Sequence, residues 1–194
     1  MLWINIVEWL SRLIFLVLIC LSVWSISIMI ERQRFYKNLN YNKTKWMDLL
    51  KNKQLNPSQD IKNNDADLLS GMLKALVPLN SSEKIEKGFD VFILDLKSHL
   101  EKGLPILGTL GSTTPFIGLL GTILGIIVSF GALSNGTGDM NAVMLSLAEA
   151  LILTAVGLIV AIPAVIGFNY FSRKARTVMT DFSAVKDLFI AYKD

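Results

Sequence analysis

The chain has a single cysteine and a single histidine among its 194 residues. Cys20 lies within an apolar run and cannot form an intrachain disulfide, so no disulfide framework holds this fold. His99 has no second histidine and no cysteine at ligand spacing, so no metal centre is expected. It reads as a partly exposed helix residue. Charge is scarce as well, with 18% charged residues against 52% hydrophobic ones. That balance argues against an ordinary soluble domain and points to a membrane protein. There is no strand-rich region and no internal repeat, which disfavours a solute carrier built on inverted repeats. No cofactor motif is visible, and no cofactor is expected.

What is present are three long apolar stretches: Leu13–Ile30, Leu104–Leu133 and Ala142–Phe171. A helix crosses a bilayer core with roughly 20 apolar residues. The first stretch fits tightly and could be extended by residues 9–12. It lacks the basic start and small-residue cleavage site of a secretory signal, so it reads as a retained membrane helix. The other two give roughly 45 Å of helix each, longer than the bilayer core, and are expected to project into water.

Of the 19 Lys and Arg, Arg12 alone precedes the first stretch, and none lies in the loop Ser134–Asn141. The rest fall between the first two stretches or after the third. The positive-inside rule then places the N-terminus outside and the middle region and C-terminus in the cytoplasm. The pI near 9.0 fits a basic face beside anionic lipid and calls for no nucleic-acid partner. The polar middle region shows two helical stripes. One is Leu68, Leu69, Met72, Leu73 and Leu76, ahead of Pro78. The other is Ile85, Phe89, Phe92, Ile93, Leu96 and Leu100. Ser81 or Ser82 is placed to cap the second helix. Asn38–Asn64, rich in Asn and Lys and broken at Pro57, is expected to hold short helices and a loop.

Within the second and third stretches Glu149 is the only charged side chain. Ionising a carboxyl at membrane depth costs several kcal/mol unless a partner, water or an ion path receives it. Proton or cation handling is therefore the leading functional expectation. Small and polar residues recur every three or four positions: Thr114, Gly118, Thr122, Gly125 and Ser129 in the second stretch. Ser146, Ala150, Thr154, Gly157, Ala161 and Ala164 recur likewise in the third. Each set falls on a narrow arc of its helix. Two readings compete: packing seams between closely approaching helices, or hydroxyls lining a polar lumen. One subunit's seam can also be the wall of an oligomer's pore. Pro115 and Pro163 fall inside these helices, and Pro163 is expected to kink the third.

An enzyme reading has one motif to stand on. Gly136–Asp139 spells the Gly-x-Gly-Asp pattern of intramembrane aspartyl proteases. That chemistry needs two aspartates sharing one site, and no second membrane aspartate exists, so the run is better read as a turn. The chain is expected not to be an enzyme.

The run from Gly111 through Pro115, Gly121, Thr122 and Gly125 resembles the second-span signature of the MotA/TolQ/ExbB proton-channel family. The run Leu147–Ala164, with Glu149, Thr154, Gly157 and Pro163, resembles its third-span signature. Together these cover about sixty residues, from Leu107 to Asn169. The three-span layout is closest to the ExbB and TolQ branches. The resemblance implies an all-α membrane protein with three transmembrane helices, the second and third extending into the cytoplasm. It also implies a helical cytoplasmic region and a homo-oligomeric, pentameric pore. The divisions are 1–31 for the periplasmic N-terminus and first helix, and 32–103 for the cytoplasmic helical region. The proton-channel domain is 104–171 and the cytoplasmic tail 172–194.

The implied setting is the bacterial inner membrane, with the N-terminus periplasmic. The implied partners are an ExbD- or TolR-like single-span protein bearing a membrane Asp, and a TonB- or TolA-like energy receiver. Thr122, Glu149 and Thr154 fall on the family's proton-pathway positions. Thr114, Ser129 and Ser146 are further pore-face candidates, and Pro115 and Pro163 structural ones. The implied output is TonB-dependent import or, alternatively, Tol-Pal envelope maintenance. A neutral or hydrogen-bonded Glu149 that holds neighbouring subunits in register is the plainer reading of that residue, and a membrane scaffold without proton conduction is the plainer alternative for the chain.

Overall fold

The computed structural model describes residues 2–55, 60–61, 67–134 and 140–193. Pro57 and the Gly136–Asp139 run lie outside the described residues. The described elements are all helical: α1 (Leu2–Asn38), α2 (Lys43–Lys51), α3 (Leu68–Leu76), α4 (Ser82–Glu101), α5 (Leu104–Ser134) and α6 (Met140–Lys193). Three of them, α1, α5 and α6, are long and apolar enough to cross a membrane. The chain forms two compact units.

The first unit combines Met1–Arg32 with Gly103–Tyr170. Ile14 and Leu18 of α1 bury against Leu153 of α6, with Ile117, Leu124 and Val156 around them. Helices α5 and α6 meet along their small residues. A Cβ on Gly157 would sit 2.8 Å from the Thr114 carbonyl oxygen, and one on Gly118 would sit 2.8 Å from that of Leu153. Any side chain there would push backbone against backbone, so glycine is what permits the approach. Gly103 has φ +76°, a left-handed conformation that favours glycine, at the junction where α4 ends and α5 begins. Both α5 and α6 run unbroken through Pro115 and Pro163.

The second unit combines Gln33–Lys102 with Phe171–Asp194. Here the expected stripes form the core: Leu69, Met72, Leu73 and Leu76 of α3, and Ile85, Phe89, Leu96 and Leu100 of α4, are buried. Phe92 and Ile93 are half-buried. Ser81 holds the N-cap position of α4, but its side chain makes no capping hydrogen bond. Asp67 does the capping at α3: it accepts from Leu69 N at 2.9 Å and from Trp46 Nε1 at 2.9 Å, which ties α2 to α3. The last part of α6 presents Ala175, Val178, Phe182, Val185 and Phe189 to this core, all buried. Asp181 accepts from Lys43 Nζ at 2.7 Å and from Tyr41 Oη at 3.3 Å. Tyr36 stacks on Phe171 at 5.6 Å and donates to the Leu100 carbonyl at 2.9 Å.

Candidate functional site

The polar residues of α5 and α6 lie along the seam where the two helices touch. Thr114 is fully buried and donates to the Leu110 carbonyl at 2.6 Å. Thr122 is buried and donates to the Leu119 carbonyl at 2.7 Å, and Thr154 Oγ1 reaches Thr122 Oγ1 at 3.5 Å. Toward the α5 C-terminus, Ser129 Oγ lies 2.9 Å from Ser146 Oγ and 2.9 Å from the Gly125 carbonyl. Hydroxyls that bond a carbonyl three or four residues back keep their own polarity satisfied in an apolar setting. The structure therefore brings Thr122 to Thr154 and Ser129 to Ser146 across one seam. Thr154 is half-buried, and its hydrogen bond to Thr122 is the longest of the set. It is the hydroxyl of this group most readily turned to another acceptor.

Glu149 stands apart from that seam. Thr154 lies five positions further along α6, about 140° of rotation at 3.6 residues per turn. Ala150, Leu153 and Gly157 take the inward positions of α6, which turns Glu149 out, and within the chain it is exposed. It lines a cleft of about 390 Å³ together with Ser146 and Ile152 of α6, Val128 of α5, and Arg12 and Phe15 of α1. Arg12 is also exposed. From the sequence, Arg12 bears on the orientation of the chain and on the edge of the first apolar run. That it lines the same cleft as Glu149 depends on how α1 docks on α6, and no local pattern carries that.

His99 is exposed on α4. Among the described residues no group of His, Cys, Asp and Glu could hold a metal ion. Cys20 is an exposed free thiol on α1.

The three long apolar helices and the hydroxyl pairs on the α5–α6 seam accompany a clear likeness to known sequences. Residues 60–184 match the MotA/TolQ/ExbB proton channel family. The chain belongs to that family. It is 41% identical over 107 residues to the biopolymer transport protein ExbB of Xanthomonas campestris pv. campestris, covering 54% of this chain and 42% of that protein. It is 40% identical over 110 residues to the Tol-Pal system protein TolQ of Pseudomonas aeruginosa, covering 56% and 48%. With TolQ of Haemophilus influenzae it shares 32% identity over 198 residues, covering 92% of this chain and 86% of that protein. The chain thus matches under half the length of the first two relatives. It is a membrane protein of the ExbB/TolQ branch, and this family likeness spans α3, α4, α5 and most of α6.

Proposed function

We propose that this chain is the channel-forming stator subunit of a bacterial inner-membrane machine that turns the proton motive force into mechanical work in the cell envelope. In this reading its N-terminus is periplasmic, and five copies enclose a pore. A single-span ExbD- or TolR-like partner inserts a helix bearing one Asp. That Asp carries the proton and is not an enzyme's catalytic group. Thr154 and Thr122 lend hydrogen bonds to it or to pore water as it passes, lowering the cost of a polar group at membrane depth.

The observation that carries the reading is the contrast on α6. Thr154, paired to a second hydroxyl at 3.5 Å, and Glu149, exposed on an otherwise apolar helix, are both unsuited to bare hydrocarbon. A subunit that exposes a carboxylate among Leu145, Leu151 and Ile152 needs an assembly or a polar ligand to cover it.

The output we assign first is ExbB-like, energising a TonB-type receiver and outer-membrane import. A TolQ-like role in envelope maintenance through a TolA-type receiver has a specific observation in its favour: the Haemophilus TolQ alignment extends over 92% of this chain. The two share one pore chemistry and differ in the receiver. Proton uptake by vesicles holding this chain with its single-span partner tests the channel. A flux that needs the partner's Asp and falls in Thr154→Ala supports the reading. A flux independent of both, or no flux with the partner present, leaves a scaffold.

A further inference from the structure

The cleft lined by Arg12 and Glu149 does not include the Thr122–Thr154 pair, and its contents can be reasoned separately. It carries one cation and one anion. Neither makes an ion pair or hydrogen bond among the described residues. The hydroxyls on its walls are already engaged: Ser11 donates to the Val7 carbonyl at 3.1 Å, and Ser146 bonds Ser129. The remaining lining is apolar, with Phe15 of α1 and Ile152 of α6 both exposed beside the charges. The adjoining faces are apolar too, with Leu13 and Leu16 on α1 and Leu145 and Leu151 on α6 exposed. Arg12 borders the first apolar run, where arginine side chains reach lipid phosphate.

An occupant that satisfies both charges brings a negative and a positive group, together with an apolar tail. The second or third span of a second copy fits poorly, because neither contains a cation to meet Glu149. A free anion would satisfy Arg12 and leave Glu149 exposed. We propose that the cleft binds one phospholipid whose headgroup carries both a phosphate and a primary ammonium. The phosphate meets the Arg12 guanidinium, whose planar fork suits phosphate oxygens. The ammonium donates to the Glu149 carboxylate, and the acyl chains lie along Phe15 and Ile152. The volume of about 390 Å³ is that of an ordinary small-ligand site. A choline headgroup keeps only the charge attraction, because its trimethylated nitrogen has no hydrogen to donate. A glycerol headgroup fails because it has no cation for Glu149. This inference needs only a membrane around the chain, and it stands whether or not the chain conducts protons.

The test uses the full chain with whatever partners co-purify with it. The protein is washed in detergent and exchanged into mixed micelles holding equal amounts of phosphatidylethanolamine, phosphatidylcholine and phosphatidylglycerol, and retained lipid is counted by mass spectrometry. The expected result is selective retention of the ethanolamine lipid at about one per chain. Losing one charge-assisted contact in Arg12→Gln or Glu149→Gln lowers that retention about tenfold or more. Arg176→Gln, which removes an exposed cation elsewhere on α6, leaves it unchanged. Equal retention of all three lipids, or retention unaffected by Arg12→Gln and Glu149→Gln, overturns the proposal. So does a disulfide between copies carrying Arg12→Cys and Glu149→Cys that forms as readily with the ethanolamine lipid as without it, since a second copy then fills the cleft. Size-exclusion profiles of the variants confirm that the fold is intact. Proton flux measured on the same variants is a separate readout, so a failed lipid site and a failed channel are distinguishable.

Discussion

Thr154 and Thr122 are distinguished by what their hydroxyls can still do. Each is polar at membrane depth, yet the bond between them, at 3.5 Å, is long enough to exchange cheaply for a bond to an incoming carboxyl. Thr154→Ala is expected to lower partner-dependent proton flux at least about tenfold while costing at most about 1–2 kcal/mol of stability, the usual worth of one membrane hydrogen bond. Thr154→Ser, which keeps the hydroxyl, is expected to retain most of the flux. A flux assay beside a thermal unfolding curve separates the two effects. Glu149→Gln keeps the size and removes the proton. Full flux in that variant assigns Glu149 to covering and subunit register; loss of flux with normal assembly assigns it a place in the proton path. The hydroxyl and carboxyl positions were legible in the sequence because each stands out against an apolar run. The cleft that Arg12 shares with Glu149 was not, since the two lie more than a hundred residues apart and come to one cleft only through helix docking.

Among the elements, α5 and α6 depend on their small residues. At Gly157 a side chain would meet the Thr114 carbonyl at 2.8 Å, with backbone rather than a flexible tip in the way. Gly157→Val is therefore expected to destabilise the first unit by about 1–3 kcal/mol or more, the cost of overpacking. The measurement is a lowered unfolding temperature in detergent; an unchanged one would mean that the helices stand further apart. The far end of α6 carries a different stripe, Ala175, Val178, Phe182, Val185 and Phe189. Its period of three and four is plain in retrospect. The apolar run ends at Phe171, and the sequence marks residues 172–194 only as a cytoplasmic tail; the helix continues to Lys193. Phe182 is fully buried and stacks on Phe92 at 5.9 Å. Phe182→Ala is expected to cost about 3–5 kcal/mol, read as faster proteolysis within α4 and the end of α6. The α3 and α4 stripes, by contrast, were legible at once, because amphipathic helices in a polar region stand out. The cap on α4 was not, since Ser81 has the right residue type and position but makes no capping bond.

On the scale of the whole molecule, the spans leave much apolar surface uncovered, including Trp9, Val23, Phe116, Phe130 and Ile159. Lipid accounts for much of it. The exposed Glu149 is what lipid tails cannot cover: it calls for a neighbouring copy, a partner or a polar headgroup. Three apolar helices and their signature residues were readable without coordinates. The assembly was not, because subunit number follows from packing angles between copies. The most direct measurement is the native mass of the complex drawn from its own membranes in mild detergent, with its co-purifying chains identified. The account predicts a pentamer of this chain with single-span partners that each bear one membrane Asp. A monomer, or an oligomer lacking any such partner, would contradict it.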